Sequence, residues 1–189
     1  MLIQLFALIL ETICGFFCLA FLARFALQWA RAPFRNPVGQ FLIAVTDWAA
    51  RPARRVIPSA WGHDLPSLVL AWMSQGIHLG LMYGLQGLVS EGAAIPVIAL
   101  LAVLETLKAA CHLALGIVVV NAILSWVNPF APLAPLFSAL SRPLLAPFQR
   151  FIPPIGGVDL SPIAFLVAIQ AFQIVLSACR QSLIAHLLT

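Results

Sequence analysis

The sequence predicts an all-α membrane protein in which four transmembrane helices form two tandem hairpin repeats, each with an interfacial amphipathic helix and a Pro/Arg-rich loop. Three observations predict it. Of 189 residues, 62% are hydrophobic and 8% charged, and the mean hydropathy is +1.04, leaving too little polar surface to coat a soluble globule of this size. Four apolar runs each approach or exceed the roughly 20 residues needed to cross the hydrocarbon of a bilayer. Finally, the stretch from Thr46 to Asp64 returns from Ser141 to Asp159 at an offset of 95, which superposes Pro52 on Pro147, Arg55 on Arg150, Pro58 on Pro153 and Gly62 on Gly157. Such self-similarity marks a tandem repeat.

The first run covers residues 2–30 and contains Glu11 and Arg24. It has no basic n-region and no clear small-residue cleavage site before Arg24, so it is expected to remain as a helix. The second run, residues 65–89, carries no formal charge, and Pro66 suits its first turn, where a missing N–H costs nothing. The apolar stretch 93–127 is too long for one untilted crossing. Trp126 matches Trp29 at an offset of 97, so the third span should begin near Ile98 and residues 90–97 become a linker. The fourth span runs from Leu160 to about Cys179. The units are therefore residues 1–89, the linker 90–97, and residues 98–189.

Proline agrees with this division. Of fourteen, five lie within residues 31–66 and eight within 127–162. None interrupts a proposed span, as expected of a helix breaker. Within the first long connection Val38, Phe41, Leu42, Val45, Trp48 and Ala49 recur at helical spacing, and Leu133, Leu136, Phe137, Leu140 and Leu144 do so in the second. These are expected to be helices lying in the membrane interface, the alternative being short helices packed on their own bundle.

The first connection holds Arg31, Arg35, Arg51, Arg54 and Arg55, and the second holds Arg142 and Arg150, whereas the 90–97 linker holds neither Lys nor Arg. The positive-inside rule puts both connections in the cytoplasm and the termini outside, a multi-pass arrangement in a bacterial inner membrane, with Trp29, Trp48, Trp61 and Trp126 near the inner face. Arg51, Arg54, Arg55, Arg142 and Arg150 are the candidates for binding anionic headgroups or a partner, at about 1 kcal/mol per basic residue near the surface. The plainer reading is that they only set topology.

Ionisable groups inside a bilayer are costly and hence suspect. Glu11, Arg24, Glu105, Lys108 and His112 qualify. Glu11 aligns with Lys108 at an offset of 97, so the two sit at similar depth and are expected to pair, while Glu105 and Lys108 share a helix face. An ion or proton path through them is the sharper alternative, and a helix end protruding into water the plainer one. Gln75 matches Gln170 and His78 matches Gln173; such residues act as interhelical glue, or as substrate contacts. Axial haem ligation by His78 and His112 has weak support.

The loop motif comprises Pro58, Gly62, Asp64, Pro153, Gly156, Gly157, Asp159, Ser161 and Pro162. Gly156-Gly157 supplies backbone freedom for a turn, and Asp159-Leu160-Ser161-Pro162 is expected to start a helix with Ser161 as N-cap and Pro162 at N1. Asp64 and Asp159 stand where helix-start aspartates belong, and this is preferred to an acid/base pair. No Walker loop, GxSxG or HExxH is present. Cys14, Cys18, Cys111 and Cys179 lie in apolar runs without a CxxC and are expected as small core residues. No cofactor, metal or enzymatic activity is expected. The formal charge of +4 is spread by topology rather than massed, which disfavours nucleic acid. The expected partners are the bilayer with its anionic headgroups, a membrane protein, or a second copy of the chain.

The stretches Arg54-Arg55-Val56-Ile57-Pro58 with Gly62-His63-Asp64, and Arg150 to Pro162, resemble the signature of the YggT family, called YlmG in other bacteria and in plastids; Asn36-Pro37 and Ser125-Trp126 fit as well. The second copy is closer, since Trp48 replaces the proline matched by Pro143. The resemblance covers the whole chain as two units. It implies a small inner-membrane protein of a family linked in different lineages to osmotic or ion tolerance, to division and nucleoid distribution, and to cytochrome assembly.

Overall fold

A computed structural model describes residues 1–32, 36–57, 64–85, 94–152 and 159–187. They form six helices, α1 Leu2–Trp29, α2 Pro37–Val56, α3 Leu65–Leu85, α4 Ala94–Val127, α5 Ala134–Phe151 and α6 Ser161–Leu187, and among the described residues no strand. Long helices α1, α3, α4 and α6 are each long and apolar enough to cross a membrane. Their length follows from uninterrupted runs of Leu, Ile, Val, Phe and Ala, and their ends from proline and polar residues. Pro66, Pro96 and Pro162 all fall in first turns, where their missing N–H has no helical partner to lose.

Two boundaries differ from those the sequence predicts. Helix α4 starts at Ala94 rather than near Ile98, because Pro96 is tolerated in its first turn and part of the expected linker is helical. Helix α6 continues past Cys179 to Leu187, since nothing between them breaks a helix. Ser161 is the first residue of α6 rather than its cap. The bonds from the Ile163 and Ala164 N–H groups end on the Leu160 carbonyl, and Asp159 Oδ1 takes the Ser161 N–H at 2.8 Å.

Short helices α2 and α5 each pack on their own pair, α2 on α1 and α3, α5 on α4 and α6. Asn36 caps α2 by accepting the Gly39 N–H at 2.8 Å, with Pro37 at the first turn. Pro52 and Pro147 lie inside α2 and α5, so each helix runs further than the apolar spacing alone suggests. Gly39, Leu42, Thr46 and Ala50 form the buried stripe of α2, while Phe41 and Trp48 stay exposed. The inward face is thus centred on a threonine, for a reason that lies in α1.

The two halves meet where α3 and α1 touch α4. Ala20 and Leu27 of α1, Leu42 of α2, Ile117 of α4 and Leu136 and Leu140 of α5 share one apolar cluster, and Trp72 Nε1 of α3 donates to the Ala99 carbonyl at 3.0 Å. Helix α1 ends on a tight reversal. The Ala32 N–H reaches the Leu27 carbonyl at 2.9 Å, and Arg31 takes the left-handed conformation with φ 50°, a position that ordinarily favours glycine.

Candidate functional site

Arg24 is buried, with 5% of its surface exposed, and a guanidinium so placed must be paired. Its partners come from the two following helices. Nη1 donates to Thr46 Oγ1 and to Asp47 Oδ1, each at 2.7 Å, and Nε lies 3.4 Å from Asp64 Oδ2. That is why α2 turns Thr46 inward. Thr46 passes the bond on to the Leu42 carbonyl.

Asp64 precedes the first residue of α3, and its side chain is fully buried. Arg54 holds it as a fork, Nη2 to Oδ2 at 2.8 Å and Nε to Oδ1 at 3.3 Å, and the Ser67 hydroxyl donates to Oδ2 at 2.8 Å. Burial alone would raise its pKa. Hydrogen bonds from Arg54 and Ser67, with the charges of Arg54 and Arg24, outweigh burial and leave it below the usual carboxylate range. Asp47 is also held low, first by its bond from Arg24 and then by the charges of Arg24 and Arg51. Arg51 reaches Asp47 Oδ2 at 2.7 Å from a largely exposed position one turn away. Five charged groups therefore fasten α1, α2 and the start of α3 together.

The sequence-predicted residues divide accordingly. Arg24, Arg51, Arg54 and Asp64 converge in this cluster. Arg55 and Arg150 are exposed and have no ion-pair partner among the described residues. Arg142 is exposed and borders two hollows, a groove of about 600 Å³ shared with Trp29 and Arg31, and a cavity of about 820 Å³ beside α4 and α6. Asp159 and Pro162 line that cavity, and Ser161 is buried beside them. Hydrogen bonding from Ser161, joined by Gln149, keeps Asp159 below the usual carboxylate range. Pro58, Gly62, Pro153, Gly156 and Gly157 lie outside the described residues.

Within the long helices the expected Glu11–Lys108 pair is not formed. The buried face of α1 begins only at Cys14, so Glu11 sits on an exposed segment, and Glu105 instead lies 2.6 Å from Arg180 of α6. Lys108 borders a groove of about 440 Å³ with Gln170, Gln173, Ser177 and Gln181. Gln75 is buried in α3 and His78 half-buried. His112 Nδ1 bonds the Lys108 carbonyl of its own helix at 2.8 Å. Among the described residues no three His, Cys, Asp or Glu side chains gather as metal ligands would.

Thr46, Asp47 and Gln149 were not singled out by the sequence reading. A signal existed in the repeat offsets. Position 24 is Arg where position 47 is Asp, whereas the matching positions are Asn121 and Arg142, a coupled change of charge.

Fold and site together define a polytopic α-helical protein with four membrane-length helices and a buried arginine–carboxylate cluster at one end of the first pair. The chain belongs to the CCB3/YggT family, whose model matches residues 3–85 and 100–179, as the loop signature implies. An uncharacterized protein of Pseudomonas aeruginosa is 36% identical over 169 residues, covering 86% of this chain and 83% of its own. YggT of Escherichia coli K12 is 31% identical over 160 residues, 84% and 82% of the two chains. The chloroplastic YlmG homolog protein 2 of Arabidopsis thaliana is 49% identical over 59 residues, 30% of this chain and 23% of that protein. No solved structure matches the chain.

Proposed function

We propose that the protein is a non-enzymatic scaffold or assembly factor of the bacterial inner membrane, built as two repeats at residues 1–89 and 98–189, whose cytoplasmic connections engage lipid headgroups or a partner protein. The observation that carries this reading is the way α2 is fastened. Arg24, Asp47, Arg54 and Asp64 lock it to α1 and α3, while Phe41, Trp48, Arg55 and Val56 point outward. A short helix fixed by buried charges and showing aromatic and basic groups on its free side suits presentation of a surface.

The topology within this proposal has both connections inside and both termini outside. Reporter fusions after Glu91 and at the C-terminus should read external, and fusions near Arg54 and Arg150 internal. Crosslinking in cells from Val56 and from Phe151, matching positions at the offset of 95 and both exposed, should return the same partner, since matching positions of two repeats would address one complex; separate or no partners would defeat the scaffold role.

A transport or osmotic-tolerance role using Glu11, Glu105 and Lys108 is the rival. The amide-lined groove beside Lys108 favours it, although Glu11 and Glu105 do not line that groove. Ion flux through proteoliposomes of purified protein, abolished by Lys108→Ala, would establish the rival.

A further inference from the structure

The offsets that align the two halves give every main member of the Arg24 cluster a counterpart. Arg24 corresponds to Asn121 at 97; Thr46, Asp47, Arg54 and Asp64 correspond to Ser141, Arg142, Gln149 and Asp159 at 95. All five counterparts line the single cavity of about 820 Å³. The cavity is thus the same site with different charges.

Two replacements alter what it can hold. Asn121 is too short to supply the guanidinium that Arg24 lays between two carboxylates, and Arg142 puts a cation where Asp47 has an anion. Gln149 Nε2 donates to Asp159 Oδ2 at 2.9 Å and the Ser161 N–H to Oδ1 at 2.8 Å. Both donors are neutral. Among the described residues Asp159 therefore keeps its charge without a cationic partner, and Arg142 has no carboxylate. The rest of the wall is mainly apolar, and at the rim Ile123, Trp126 and Ile163 are exposed on the membrane-length helices.

We infer that this cavity holds the head of a phospholipid bearing both a phosphate and a primary ammonium, the phosphate at Arg142 and the ammonium at Asp159, with the acyl chains leaving over Ile123, Trp126 and Ile163. Arginine matches phosphate oxygens with a planar fork. An ammonium has N–H groups for Asp159 and for the Asn121 amide oxygen, and so supplies the cation that Arg24 supplies in the first half. A purely anionic head would bring a second negative charge to Asp159, and a quaternary ammonium would have no N–H to give. The volume lies in the usual span of about 300–1,000 Å³ for ligand sites. The inference rests on the membrane reading of the fold and not on the scaffold role, so a failed search for protein partners leaves it standing.

The test uses the full chain purified in detergent, with binding of dihexanoyl phosphatidylethanolamine, phosphatidylglycerol and phosphatidylcholine followed by native mass spectrometry. The ethanolamine lipid should bind about tenfold more tightly than the other two, the margin of one charge-assisted hydrogen bond. Asp159→Asn should erase that preference while leaving binding, and Arg142→Gln should weaken all three lipids. The double variant Asn121→Arg/Arg142→Asp places an arginine and an aspartate where the first half has Arg24 and Asp47; it should expel the lipid yet melt no lower than the wild type, which shows that it folds. Equal affinity for the three lipids, a preference unchanged by Asp159→Asn, or undiminished binding by a folded double variant would overturn the inference. So would chainless glycerophosphoethanolamine binding as tightly as the lipid, because the apolar rim would then contribute nothing.

Discussion

Arg24 and Asp64 lie forty positions apart and meet with Nε 3.4 Å from Oδ2, both side chains withdrawn from solvent. The contact joins the last turns of one membrane-length helix to the first residue before the next. It needs α2 between them, because Thr46 and Asp47 both accept from Nη1 of the same guanidinium. The short helix is therefore held both by charge and by the packing of Leu42 and Ala50 on the same buried stripe as Thr46.

Removing Arg24 should cost more than any other single change in this region. Arg24→Ala leaves Asp47 and Asp64 with less compensation in a buried setting, a loss of about 3–5 kcal/mol for breaking such a pair. Arg24→Lys should fall between, since a point charge cannot serve Thr46, Asp47 and Asp64 at once. Thermal unfolding in detergent measures both; an Arg24→Ala protein that melts with the wild type would contradict the account.

The same cluster sets an acid limit. Asp47 and Asp64 have pKa values lowered in the folded protein, so the stability they contribute is complete above the ordinary carboxylate pKa and is lost as pH falls through their lowered values. Melting temperature should be flat above about pH 5 and decline below about pH 4. In Arg24→Ala the acid decline should be shallower, because without the Arg24 cation the folded-state carboxylates are held less far below their unfolded value. Parallel curves for the two proteins would show that the cluster is not the source.

Much of the fold was legible because a bilayer makes simple demands. An apolar run of sufficient length becomes a helix whatever its neighbours, so the starts of all four long helices, at Leu2, Leu65, Ala94 and Ser161, follow to within a few residues, while α6 runs on past Cys179 to Leu187. The site was less legible. Arg24 stands in an apolar run and looks like an intramembrane charge, and Asp47 looks like the polar face of α2; only packing reveals that they are partners. Glu11 misled for the complementary reason. Equal depth across a repeat does not give equal facing, and the first turns of α1 lie outside the buried core.

Glu105 and Arg180 offer a separate test, since 2.6 Å between them ties α4 to α6. Both side chains are partly exposed, so the pair should contribute about 1 kcal/mol or less. Glu105→Gln and Arg180→Gln should each lower the melting temperature slightly, and the exchange Glu105→Arg with Arg180→Glu should restore it. An exchange no better than either single variant would mean that the two charges act independently.

The loop arginines should not contribute equally at the membrane surface. Arg54 is engaged by Asp64 and Arg51 by Asp47, so their charges are largely balanced before any lipid arrives. Arg55 and Arg150 occupy matching positions at the offset of 95 and are exposed without a carboxylate among the described residues. Each should therefore bring close to the full 1 kcal/mol or so of a basic group near anionic headgroups. The purified protein should bind a labelled anionic short-chain lipid more weakly when Arg55 and Arg150 become Gln, and the loss should shrink as salt screens it. Arg51→Gln should change that binding much less and instead remove a few tenths of a kcal/mol of helix stability, as expected of an exposed i,i+4 pair. Equal losses from Arg51 and Arg55 would show that the ion pair to Asp47 opens at the membrane surface. A loss from Arg55→Lys as large as from Arg55→Gln would point away from bulk charge and toward a partner that requires the guanidinium fork.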